Sequence, residues 1–187
     1  ETCSQLNDTK IIDNIVENKL LMPYSLYVSF QIKLFYLNKK YEMAIATAHK
    51  HKNILNEVFG LIQMEELKLF LSLSMLEQAI NKSIILDKKS IAFINKTKKE
   101  FKNYKNQFPK NYFIKYLLLE GTWYQSKNKN KKSIATFKEM LDESNKYHRS
   151  LYQAIAHQKL AELSMENELT SYHNKESKRF YSTWKKT

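Results

Sequence analysis

Apolar residues recur along most of the chain at intervals of three and four positions, which is the spacing of one face of an α-helix. The pattern predicts eight or nine helices joined by short polar turns. The predicted helices are Asp8–Leu20, Tyr24–Leu37, Tyr41–Leu55, Leu61–Ile80, Asp87–Phe108, Tyr112–Ser126, Ser133–His148, Ser150–Met165 and Glu168–Lys186.

Apolar positions within three of these helices predict how each one packs. In Tyr24–Leu37, we expect Leu26, Phe30 and Leu34 on the buried side, together with Tyr27 and one of Phe35 and Leu37. The next helix carries small residues four apart, Ala44 and Ala48, which let a neighbouring helix approach closely. Leu61–Ile80 is apolar on most sides, so we expect it to be buried between neighbours.

The chain contains only two Gly and two Pro residues. Sheet proteins of this size need many tight turns, which draw on Gly, Pro, Asn and Asp. This scarcity favours an all-α fold. We therefore predict a single segment of antiparallel helical hairpins, at about 24–56, 61–108, 111–148 and 149–186, stacked as a short superhelical array.

Three stretches carry a family pattern. Tyr36–Ala44 resembles the turn and the Tyr-x-x-Ala start of a tetratricopeptide second helix, and Ser133–Leu141 resembles the next such helix. Helix pairs begin at spacings of roughly 37, 50 and 38 residues, against about 34 for a tetratricopeptide unit. Phe108–Glu120 resembles the Pro-x-Asn-Phe…Lys-Tyr-x-Leu-x-x-Glu signature of the repeat region of large bacterial signalling ATPases.

Those ATPases are multidomain proteins. The resemblance implies a regulatory repeat segment that lies between a kinase-like domain with an NTPase module and a GAF domain with a histidine kinase or cyclase. It implies no catalytic residue within the segment. Ser133 and Ser177 stand where the family pattern has Ala, and Tyr104 stands where it has Trp.

The net charge of +12 raises the alternative of a nucleic-acid-binding array that uses its basic surface. Of 31 basic residues, however, only Arg149 and Arg179 are arginines. Base-edge readers favour Arg, because its planar fork matches guanine and phosphate geometry. We therefore predict protein or peptide partners, or neighbouring domains of the same chain, and regard nucleic acid as the second hypothesis.

The predicted helix Asp87–Phe108 carries lysines away from its apolar stripe, which makes a possible partner-binding basic face. These are Lys98, Lys99, Lys102 and Lys105. A solvated face with no partner is the alternative reading of the same pattern. Tyr124 flanks the next polar turn and is a possible groove aromatic, whereas Tyr116 and Trp123 are predicted to lie in the repeat core.

No phosphate-binding Gly loop, nucleophile elbow or zinc-protease helix motif occurs in the sequence. His49 and His51 lie two apart and point to different faces of a helix, so we expect solvated histidines and no metal site. Glu65, Glu66 and Glu77 are likewise expected on solvated faces. The prediction is a non-catalytic protein with no cofactor.

A lone cysteine, Cys3, is compatible with a reducing compartment, and we predict a cytoplasmic protein without a membrane span. The chain begins at Glu1 without an initiator Met, and we expect a piece of a longer protein. The predicted function is a protein-interaction or regulatory scaffold that relays signals between domains of a larger signalling protein.

Overall fold

The structure, a computed structural model, describes residues 17–18, 20–52 and 63–186. All regular elements in these ranges are α-helices, so the prediction of an all-α fold is confirmed. The helices are α1 (Leu21–Leu37), α2 (Tyr41–Lys50), α3 (Gln63–Lys82), α4 (Lys88–Gln107), α5 (Pro109–Ser126), α6 (Asn130–Lys146), α7 (Ser150–Leu163) and α8 (Asn167–Trp184). The predicted helix at 8–20 lies almost entirely outside the described residues.

The chain divides into two compact units, and the boundary falls within α3, between Gln78 and Ala79. The first unit contains α1, α2 and most of α3. The second contains α4 to α8, in which each helix packs against the next one along the chain.

In the first unit, aromatic rings of α1, α2 and α3 contact one another. The Tyr36 ring lies 5.8 Å from that of Tyr41 on α2 and 5.3 Å from that of Phe70 on α3. Ala44 and Ala48 are buried, as their spacing predicted, and they allow close packing of α2.

The predicted buried side of α1 is wrong. Leu26, Phe30 and Leu34 are exposed, and Phe30 retains 59% of its accessible surface. The buried side instead carries two serines and four larger residues. These are Tyr24, Ser25, Val28, Ser29, Ile32 and Tyr36. Both sides of this helix are apolar, so the periodicity alone does not distinguish the side that packs.

The described part of α3 is buried on most sides, as predicted, but one polar prediction for it is wrong. Glu77 was expected on a solvated face and is only 2% exposed. Ser72 and Ser74 are fully buried on the same helix, and the Ser74 hydroxyl donates to the carbonyl of Phe70 at 2.7 Å. A helix enclosed on most sides has little solvated face on which to place an acid.

Four turns in the described part of the chain are built without glycine. Four helices are followed by a residue in the left-handed conformation, with φ between 50° and 58°: Lys39, Ser83, Asn128 and His148. In each case the next N–H donates back to a carbonyl five residues earlier, for example Lys129 to Tyr124 at 2.9 Å. This is the Schellman motif, which satisfies the last carbonyls of a helix. It explains how a chain with two glycines forms compact helical turns.

A side-chain cap at the N-terminus and a proline after the C-terminus define the ends of α4. The Asp87 side chain accepts a hydrogen bond from the Ser90 N–H at 2.7 Å and caps the N-terminus. Pro109 occupies the first turn of α5, where its missing N–H costs nothing, and it separates the two helices as predicted. The α4–α5 pair that carries the predicted lysines is therefore closely connected.

Candidate functional site

The four predicted lysines of α4 do not form one uniform solvated face. Lys98, Lys102 and Lys105 share a side, because residues four and seven apart align on a helix. Lys99 and Lys102 are exposed, whereas Lys98 and Lys105 are half-buried against aromatic rings of α5. Two of the four predicted lysines, Lys98 and Lys105, therefore lie at the interface between α4 and α5.

Lys105 packs against the N-terminal half of α5. Its Nζ lies 4.0 Å from the centre of the Tyr116 ring and 5.1 Å from that of Phe113. An ammonium group within about 6 Å of an aromatic ring centre is attracted by the ring quadrupole. Tyr116 itself is buried, as predicted for a core aromatic.

Lys98 lies at the other end of α5, where further lysines join it. Its Nζ is 5.0 Å from the centre of the Trp123 ring and 5.8 Å from that of Tyr124. Lys127 approaches Trp123 to 4.8 Å, and Lys132 approaches Tyr124 to 5.9 Å. We call these five residues the Trp123 cluster. Lys98 and Tyr124 were candidates from the sequence, whereas Lys127 and Lys132 were not. Trp123 was predicted to lie in the repeat core and is only half-buried.

The turn after α5 creates this convergence. Asn128 takes the left-handed conformation, with φ 55°, and reverses the chain between Lys127 at the end of α5 and Lys132 in the first turn of α6. The negative end of the α5 dipole lies at the same place and favours cations. The Lys/Asn-only turn was visible in the sequence, but its proximity to Lys98 depends on how α4 packs against α5.

Glu120 is the acid that interacts with the cluster. Burial lowers the pKa of Lys98, Glu120 opposes this shift, and Lys102 adds to it. The pKa of Tyr116 is raised above its ordinary value by burial first and then by a hydrogen bond and charge repulsion from Glu120. Burial and Glu120 also raise the pKa of Tyr124. The raised pKa values keep both phenols in the neutral form.

A second group of titratable residues lies between α7 and α8. The Nδ1 atoms of His157 and His173 are 2.8 Å apart, and His157 stacks on the Phe180 ring with centres 5.7 Å apart. His157 is 4% exposed. Burial, then the nearby His173, lower its pKa to about 4, with Glu176 opposing and Arg179 adding to the shift. Sequence periodicity did not indicate this pair.

The remaining sequence candidates are structural. His51 was expected to be solvated but is half-buried, and its Nδ1 forms a hydrogen bond with the Tyr24 hydroxyl. Glu66 pairs with Lys33 at 3.0 Å. Within the described ranges, no group of three His, Cys, Asp or Glu side chains is placed to hold a metal ion.

Two further findings concern the surface. A shallow open groove runs along α8 and is lined by polar residues of that helix alone. Among the described helices, none is long and apolar enough to cross a membrane.

The fold and this site define an all-α helical protein with a lysine–aromatic surface. Comparison of the chain with family models, curated proteins and solved structures found no match.

Proposed function

We propose that this chain is a non-catalytic protein-interaction scaffold that binds a peptide or a neighbouring domain. The observation that carries the proposal is the Trp123 cluster, in which α4, α5 and α6 bring three lysines around two adjacent aromatic rings. Trp and Tyr are enriched at protein–protein interfaces, where a polar rim surrounds the aromatic residues. In a longer protein, binding at this surface would relay a signal between domains, as the family resemblance implies.

Nucleic-acid binding is the second candidate, because exposed lysines such as Lys99 and Lys102 suit a phosphate backbone. Single strands, however, also require aromatic faces on which bases stack. In the Trp123 cluster, ammonium groups already lie over the rings, with two lysines over Trp123. The cluster therefore favours a protein partner.

A displayed library of random peptides tests the scaffold function. We expect selected peptides to bind the chain and to slow amide exchange in α4, α5 and the start of α6. Exchange in α8, at the far end of the same unit, serves as the internal control. Selection of no binding peptide, or protection confined to α8, would contradict the proposal.

Two assays test the alternatives. Random DNA and RNA are titrated across a range of salt concentrations, where submicromolar affinity at physiological salt with a steep salt dependence would favour the nucleic-acid hypothesis. The purified chain is also incubated with ATP and Mg²⁺, and we expect no turnover.

A further inference from the structure

We infer that the Trp123 cluster recognises an acidic segment of a partner protein, in which Asp and Glu carboxylates pair with Lys98, Lys127 and Lys132. This inference rests on the proposed scaffold function and names the chemistry of its partner. It extends the recognition role, which the sequence pattern placed on lysines of α4 and on Tyr124, to Trp123, Lys127 and Lys132.

Positive charge converges at the Trp123 cluster. Lys98 and Lys127 both lie within 5.0 Å of the Trp123 ring centre, although they are 29 positions apart in the sequence. Their ammonium groups are therefore no more than about 10 Å apart, which is close to the Debye length at physiological ionic strength. Charges this close act together on one ligand, and Lys132 extends them to the other side of Tyr124.

One lysine of the cluster is partly buried. Lys98 is half-buried, so it has already lost part of its hydration shell in the free protein. A carboxylate that pairs with it meets a lower effective dielectric than at a fully exposed lysine, and this strengthens the attraction. Lys127 and Lys132 are exposed and contribute mainly to the association rate.

The lysine side chains of the cluster suit carboxylates as the bound anion. Lysine presents a point charge, and a carboxylate needs no planar arginine fork to pair with it. The ring faces are approached by ammonium groups, which leaves carboxylate pairing as the interaction best suited to the cluster.

Glu120 places a negative charge beside Lys98, so removal of this charge tests the inference. A bound acidic peptide would be repelled by it. The substitution Glu120→Gln removes the charge and keeps an oxygen that can accept the Tyr116 hydrogen bond. We therefore expect tighter binding of an acidic peptide to this variant, a gain that a merely structural role would not produce.

The experiment uses the full chain with Trp184→Phe, which leaves Trp123 as the only tryptophan and makes its fluorescence report on the cluster. The probe is a peptide of alternating Asp, Ser and Glu residues, and its control has Asn and Gln in place of the acids. The test variant carries Lys98→Glu, Lys127→Glu and Lys132→Glu. The control variant carries Lys175→Glu, Lys178→Glu and Lys185→Glu. These substitutions change the net charge by the same amount at positions outside the cluster.

We expect saturable binding of the acidic peptide, weakened at least about tenfold by reversal in the cluster and far less by the control reversal. Equal binding to both variants, or equal binding of the amide peptide, would overturn acidic recognition but leave the scaffold function intact. Tighter binding of a random oligonucleotide or of phosphatidylserine vesicles would also overturn it. If the triple variant does not fold, the single variants of exposed Lys127 and Lys132 provide the same test.

Discussion

The hydroxyl of Ser133 on α6 donates a hydrogen bond to the carbonyl oxygen of Gly121 on α5 at 2.9 Å. Both residues are fully buried or nearly so, and the contact lies next to the turn that forms the Trp123 cluster. Ser177 on α8 likewise donates to the Ala154 carbonyl on α7 at 2.9 Å. The two positions where the family pattern has Ala thus hold serines that link paired helices.

Gly121 allows this close approach, and its replacement by Ala is expected to destabilise the fold. A Cβ added there would lie 2.7 Å and 2.9 Å from two atoms of the Phe137 ring. The crowding should lower the free energy of unfolding by about 1–3 kcal/mol, although Ala at an unhindered helical site would raise it. Urea unfolding measures the change.

Adding Phe137→Leu to the Gly121→Ala variant is the matched control. The smaller side chain removes the clash, so the double variant should lose less stability than the sum of the single changes. If the losses of stability in the two single variants simply add in the double variant, a clash with the Phe137 ring is not the cause of the destabilisation.

Acidification is expected to weaken the contact between α7 and α8. The pKa of His157 is about 4 in the folded protein, below its ordinary value of 6.5. Protonation therefore favours the unfolded state, and stability present above pH 6.5 falls as the pH approaches 4. Linkage gives a loss of about 2 kcal/mol at pH 5, and His173, whose pKa is also lowered by burial and by Lys138, adds to it.

Urea unfolding at pH 7.5 and pH 5 measures this loss. His157→Leu should reduce the difference between the two pH values, whereas a Gln at the exposed His49 serves as the control and should leave it intact. A His157→Leu protein with unchanged pH dependence would show that other groups cause it.

Lys159 is a buried cation, and two substitutions can distinguish the contribution of its aliphatic stem from that of its charge. It is 1% exposed, and its Nζ donates to Glu162 at 2.8 Å and to Gln125 on α5 at 3.4 Å. Lys159→Ala removes the packed stem and should cost about 2–4 kcal/mol. Lys159→Met keeps most of the stem volume and removes a desolvated charge, so it should cost less.

Thermal and urea unfolding of the two Lys159 variants distinguish these contributions. Equal losses in both variants would show that the charge, rather than the stem, stabilises this position.

The orientation of α1 gives the fourth prediction. Ile32→Ala should cost about 2–5 kcal/mol, because Ile32 is fully buried. Phe30→Ala, on the exposed side, should change stability by no more than about 0.5 kcal/mol. Unfolding curves compare them directly, and the opposite ranking would restore the side that the sequence pattern predicted.

Much of the fold was predictable because local signals agreed. The three-to-four spacing of apolar residues, the scarcity of glycine and the positions of Pro109 and Ala44 all favoured helices with the bounds observed to within a few residues. The packed side of α1 was not predictable, since Val28 and Ile32 compete with Phe30 and Leu34 at the same period. The burial of Glu77 depends on neighbouring helices that the local sequence does not specify.

The components of the candidate site can be read from the amino-acid pattern: a lysine-bearing helix, an aromatic pair at the end of the next helix and a Lys/Asn turn. That Lys98, Lys127 and Lys132 meet around Trp123 and Tyr124 follows from the packing of the helices. Helical period places residues on a face, because it depends on the backbone alone. Which faces meet depends on how neighbouring helices pack, and that packing also decides which lysines remain in water.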